Sequence, residues 1–233
     1  MVRKTREAAL ATRESLIDAA EIVFRREGVS RTSLAEVAAA AGVTRGAIYW
    51  HFRDKTELLA AMCDRTVLPI DAALARAGEE AQTDPLGALR RFAVDALTRL
   101  ATCERTQAVF EILFHKCELV GELADDPTGA QSEGRRECLR SVERLFALAV
   151  ERGQLPPGAD PALAAHTMHA YVIGIMHEWV LDPSAYDLAK RASQIIDLYL
   201  AGLCAAATWR EPEPPAITDS GGAIQTSQVG TAR

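Results

Sequence analysis

Residues 44–55 read Thr-Arg-Gly-Ala-Ile-Tyr-Trp-His-Phe-Arg-Asp-Lys, a dense run of hydrogen-bond donors with one acid among them. Arg45 can present two parallel donors, the geometry that matches N7 and O6 on the edge of a guanine. Thr44, Tyr49 and His51 carry donors suited to phosphate oxygens, and Lys55 adds a cation at the start of the next helix. Gly46 lets the start of its helix approach another surface closely. Thr32 and Ser33 add two hydroxyls one short element earlier. Thr32, Ser33, Thr44, Arg45, Gly46, Tyr49, Trp50, His51 and Lys55 are therefore the candidate contacts to double-stranded DNA. Only one of the adjacent aromatics Tyr49 and Trp50 is expected to face inward, so core packing is an alternative role for Trp50.

Such contacts need a rigid mount, and the flanking residues supply one. Ser33 stands three residues before Glu36, a capping box that opens a short helix running to Ala41. Gly42 makes a turn, and Thr44 caps a second short helix. Two short helices joined by a Gly-containing turn form a helix-turn-helix. Val37 and Ala38 are small or apolar where the helices cross, Val43 plugs the corner and Ile48 anchors the second helix. Upstream, Leu16, Ala19, Ala20, Val23 and Phe24 recur at helical spacing from about Ala8 to Glu27, with Gly28 at the C-cap. Downstream, Asp54 caps a fourth helix from Lys55 to about Val67.

Gly42 through Lys55 resembles the signature of the TetR family of repressors. Thr32-Ser33-Leu34, Arg3-Lys4-Thr5 and Glu111-Ile-Leu-Phe-His-Lys-Cys-Glu118 resemble the AcrR/TtgR branch, repressors of multidrug efflux pumps, and Asp182 to Asp187 does so more loosely. The likeness spans most of residues 1–207. It implies a homodimer with a DNA-binding unit over 1–55 and a helical ligand-binding and dimerisation domain over 56–208. It also implies release from an operator by a small hydrophobic inducer, with control of an efflux operon.

The remaining chain reads independently as all-α, about nine helices in total. The sequence is 48% hydrophobic, and Ala, Leu, Glu and Arg dominate over Gly and Pro, which favours helices. Asp-Pro pairs at 84–85, 126–127, 160–161 and 182–183 mark helix starts, giving helices near 85–102, 105–123, 128–153, 161–181 and 184–207. Residues 209–233, rich in Pro, Gly and Ser, are expected to be a disordered tail. The net charge of −6 is uneven: residues 1–55 hold ten Lys/Arg against seven Asp/Glu, and the remainder 16 against 25. A basic head on an acidic body can approach phosphate in one orientation only.

Val67, Phe92, Ala96, Phe110, Phe114, His169, Val172, Ile173 and Met176 could line a pocket for apolar ligands, although ordinary core fits each of them equally. Glu111 and His115 could be polar anchors there, and a satisfied half-buried pair fits as well. The fourth helix is expected to be the only element that touches both the recognition helix and the body, with Met62, Thr66 and Val67 pointing toward this pocket. Helix 161–181 is apolar on two faces, one carrying His169, Val172, Ile173 and Met176 and the other Ala164, Met168, Tyr171, Ile175 and Trp179. One face then needs a second copy of the chain, with Ile195, Leu198, Tyr199, Gly202 and Ala206 completing the surface; the alternative is a helix buried all round inside a monomer.

Cys63, Cys103, Cys117, Cys138 and Cys204 lack metal-ligand spacing and read as reduced core thiols. A thiol trigger is the alternative regulatory reading. No Gly-rich phosphate loop, nucleophile elbow or metal motif points to an enzyme, and no cofactor or metal is expected. Without a signal peptide or an eighteen-residue apolar stretch, the expected location is cytoplasmic and away from membranes.

Overall fold

The computed structural model describes residues 2–66, 79–117 and 130–206, and among these it contains ten α-helices and no strand. The first four are α1 (Val2–Glu27), α2 (Leu34–Ala40), α3 (Arg45–His51) and α4 (Lys55–Thr66). Their ends follow local chemistry. Gly28 adopts φ +87°, a left-handed position that terminates α1. The Ser33 hydroxyl accepts from Glu36 N–H at 3.3 Å while Glu36 accepts from Ser33 N–H at 2.7 Å, completing the capping box. Gly42, at φ +68°, turns the chain, and Thr44 Oγ1 accepts from Ala47 N–H to open α3. Asp54 caps α4 through Glu57 N–H at 2.8 Å.

The rest of the described chain forms α5 (Glu79–Thr83), α6 (Pro85–Thr102), α7 (Glu104–Glu111), α8 (Ala130–Glu151), α9 (Pro161–Leu181) and α10 (Leu188–Ala206). Asp84 and Asp160 cap α6 and α9 with Pro in the first turn, as their Asp-Pro pairs predict. Asp182-Pro183 does not open a helix. The Asp182 carboxylate instead accepts from the N–H and hydroxyl of Ser184, and Asp187 caps α10 through Lys190 N–H. The helix expected over 105–123 departs from α geometry after Glu111, where Ile112–Lys116 forms a π-helical turn. Helix α5 carries no sequence signal that foretold it. Val67, the Asp126-Pro127 pair and the 209–233 tail lie outside the described residues.

Two apolar cores organise these helices. One is built from Leu16, Phe24, Val37, Ile48, Phe52, Leu58 and Met62 of α1–α4. It also takes in Val109 of α7 and Ile112 of the π turn. The other fills the space among α6 to α10 with Leu89, Leu97, Phe110, Phe146, Met168, Met176 and Trp179. Helix α7 is thus a shared wall, with Phe110 in the body core and Val109 in the N-terminal core.

This arrangement corrects the expectation that α4 alone links the recognition helix to the body. Helix α1 packs against both α3 and α7, and it is stitched to α7 and its π turn along their length. Arg105 binds Asp18 at 3.1 Å, Arg25 binds Glu111 at 2.7 Å, and Val29 N–H donates to the Lys116 carbonyl at 2.9 Å. Arg65, near the end of α4, meets Glu14, Asp18 and Glu21 of α1 at 3.2, 2.8 and 3.4 Å. Met62 belongs to the N-terminal core rather than to the body.

Candidate nucleic-acid interface

The exposed side of α3 is built around one inward anchor. Ile48 is fully buried and fixes the helix to α1 and α2. That anchor leaves Thr44, Arg45, Gly46, Tyr49 and Trp50 exposed. Both adjacent aromatics face outward: Tyr49 is 48% and Trp50 73% exposed, so core packing does not account for Trp50. The Arg45 guanidinium lies over the Tyr49 ring at 5.6 Å, a cation–π contact that holds its donors at the surface. Trp50 meets His51 edge-on at 4.6 Å. A Cβ added at Gly46 would meet only Thr44 Oγ1, at 4.0 Å, so the fold itself does not require glycine there. A close-approaching partner surface would.

Half-buried His51 sits beside Arg13 of α1. Burial, reinforced by the Arg13 charge, holds its pKa below the usual histidine value, which favours the neutral ring. Arg13 lies over the Phe52 ring at 5.1 Å and brings a further cation to this end of α3. Linear spacing cannot reveal it, because only the packing of α1 on α3 brings the two together.

Two predicted contacts stand apart. Thr32 is 2% exposed and its hydroxyl donates to the Gly28 carbonyl at 2.8 Å, so it holds the α1–α2 loop. The Lys55 ammonium donates to the Val29 and Ser30 carbonyls at 2.9 and 3.3 Å, tying α4 to the same loop. Ser33 remains exposed at the start of α2.

The predicted ligand residues converge in the body. Phe110 and Met176 are buried in its core, and Phe92, Ala96, Phe114, Val172 and Ile173 pack against it half-buried. Phe110 and Phe114 are 5.4 Å apart between ring centroids. His169 is half-buried on α9. Of the possible polar anchors, Glu111 faces Arg25, and exposed His115 meets His177 at 5.1 Å and Phe114 at 6.3 Å. A crease of about 460 Å³ lined by Ala81, Ser141 and Arg144 shares none of the predicted residues.

Two family profiles match this chain: bacterial regulatory proteins of the tetR family over residues 16–62, and the C-terminal region of MAATS-type transcriptional repressors over 84–204. TtgR, a transcriptional regulator of Pseudomonas putida, is 42% identical over 84% of this chain and 93% of its own length. The chain belongs to the TetR family.

Solved structures of family members extend the likeness to three dimensions. NalD, the secondary repressor of the MexAB-OprM multidrug efflux pump in Pseudomonas aeruginosa, superposes with a TM-score of 0.76. It is 33% identical over 85% of this chain and 98% of its own. The complex of SmeT with triclosan gives 0.72 at 35% identity, covering 88% of this chain and 99% of its own. SmeT is the repressor of the Stenotrophomonas maltophilia efflux pump SmeDEF.

These relatives are transcriptional regulators and repressors, so this TetR-family chain works by helix-turn-helix DNA binding rather than by catalysis. The relatives give the thiol alternative no support, although a hydrogen bond with Thr106 lowers the thiol pKa of Cys103 at the start of α7. Cys117 is half-buried, and burial pushes its thiol pKa up despite the Lys55 charge nearby, away from a reactive thiolate. Among the described residues, no group of three His, Cys, Asp or Glu is placed to hold a metal ion. No described helix is long and apolar enough to cross a membrane.

Proposed function

We propose that this protein is a dimeric repressor of a multidrug efflux operon, released from its operator by a small hydrophobic ligand. Arg45 reads a guanine edge, Ser33, Thr44, Tyr49 and His51 donate to phosphates, and Gly46 permits the close approach. Thr32 and Lys55 brace the loop that presents Ser33. Leu58, Leu59, Ala61 and Met62 belong to the core that seats α3, which supports a DNA-binding unit extending past residue 55.

The observation that carries ligand control is the shared wall. Phe110 of α7 faces the body core, while Val109 on the same helix faces the core that seats α3. A ligand wedged among Phe92, Ala96, Phe110, Phe114, His169, Val172, Ile173 and Met176 would displace α7, and the ion pairs to α1 and the backbone bond to the α1–α2 loop would carry that displacement to the recognition helix. Ligand acts only through unequal affinity for the two poses. Half-sites in the major groove lie about 34 Å apart per turn, so a shift of a few ångströms spoils simultaneous docking by two subunits. SmeT, which shares this fold, forms a complex with triclosan.

Dimerisation rests on an outward face. Leu163, Ala170, Gly174 and Leu181 recur on the exposed side of α9, and Leu198 and Gly202 continue that surface on α10. These differ from the two faces expected of helix 161–181, whose residues are mostly buried or half-buried within the chain.

The test uses operator duplex selected from random-sequence DNA, bound by the full protein and challenged with triclosan and, separately, with peroxide. Release by triclosan alone is the expected outcome. Release by peroxide alone would replace ligand control with thiol control.

A further inference from the structure

A crease of about 230 Å³ opens where the N-terminal unit meets the body, lined by Arg26, Gly28 and Arg31 on one side and His115 and Lys116 on the other. The hydrogen bond from Val29 N–H to the Lys116 carbonyl joins its two sides. The one acid in its lining, Glu27, is already paired with Arg26, whose Nε donates to it at 3.0 Å.

Arg26 and Lys116 have a local reason to be there. α1 and the π turn both end at this point, and basic side chains offset the negative pole of terminal carbonyls. Arg31 has no such reason. It lies in the α1–α2 loop, is exposed, and forms no ion pair with a described residue; Lys116 forms none either. Two cationic groups from separate parts of the fold thus share one concave, polar site, whose one acid among the described residues, Glu27, is paired with Arg26. Arg31 directly precedes Thr32-Ser33, so the crease opens beside the start of α2, next to the surface assigned to DNA phosphates.

We propose that this crease binds a phosphate group, held between Arg31 of the N-terminal unit and Lys116 of the body, and that in the working protein it belongs to the operator backbone flanking the half-site read by α3. The body then touches DNA directly. Because the two cations sit on opposite sides of the seam between α1 and the π turn, only one pose of that seam brings both onto the same phosphate. Free inorganic phosphate offers the same chemistry, and the experiment separates the two sources.

Operator affinity is measured against salt concentration for the wild type, Arg31→Ala and Lys116→Ala, on a duplex with long flanks and on one trimmed to the half-sites. Replacing Lys116 leaves its carbonyl, and so the bond to Val29, in place, and unchanged melting in chloride verifies the fold. A phosphate contact from the backbone predicts weaker binding to every sequence and a salt slope shallower by about 1 per phosphate lost. That change should appear on the long duplex and vanish on the trimmed one. An unchanged slope, with inorganic phosphate raising the melting temperature of the DNA-free wild type but not of Lys116→Ala, would assign the site to free phosphate. An unchanged slope without stabilisation by phosphate would overturn the proposal.

Discussion

Arg45 contributes nothing to the fold that its removal would expose. It is at the surface, leans on Tyr49, and is anchored only through Ile48 three residues on. Arg45→Ala should therefore keep its melting temperature while losing specific operator binding. A bidentate guanine contact is worth about 1–3 kcal/mol and occurs twice in a symmetric dimer, so a loss of at least about tenfold is expected by fluorescence anisotropy. Normal affinity in the folded variant would remove Arg45 from the reading face. At this scale the sequence is legible wherever partners are neighbours. Ser33 with Glu36, and Thr44 with Ala47, could be paired by counting residues. Lys55 could not, because the carbonyls it holds lie 26 and 25 residues upstream. Its chemistry suits a phosphate equally well until α4 is packed on α1.

At the scale of the element, the ion pairs between α1, α4 and α7 differ in what they contribute. Glu21 has both Arg105 and Arg65 nearby, yet burial is the larger effect and raises its pKa above the usual carboxylate value. A carboxyl whose folded pKa is raised carries a stability cost above that pKa, and the cost is relieved as pH falls through it. Glu21→Gln removes the cost, so the variant should melt above the wild type at pH 7. The gap should close as the pH drops below 4.5, the ordinary value for this group. Thermal melts at the two pH values check this, and a variant that melts lower at pH 7 would mean that the ion pairs outweigh burial. Asp84 and Asp160 made α6 and α9 readable to the residue, since cap and first-turn Pro are adjacent. The same pair at 182–183 misled because Ser184 supplies the carboxylate with nearer donors. No linear pattern in 112–116 announces the π turn, nor that α7 would divide its residues between two cores.

For the whole molecule, two properties follow from the surface and the shared wall. Leu198, 65% exposed, and Leu163, 61% exposed, stand on the face proposed to meet a second copy. Wild type should show a dimer mass by light scattering at micromolar concentration, and Leu198→Glu should shift it toward monomer and abolish operator binding. A monomeric wild type would remove the dimer account. The apolar repeat of residues 161–181 predicts a partner on one of two faces, yet the body's own packing buries or half-buries both, and the stripe left outside is a different one.

The central claim is that the state of the body core sets the pose of α3, and Ala96→Trp tests it most directly. Ala96 packs half-buried against the body core from α6 and is not among the proposed DNA contacts. An added indole fills the space assigned to ligand. Operator affinity of the variant should fall by at least about tenfold, near 1.4 kcal/mol, with the dimer mass and helical circular dichroism of the wild type retained. A folded dimer that binds operator as tightly as wild type, and is still released by triclosan, would contradict the account.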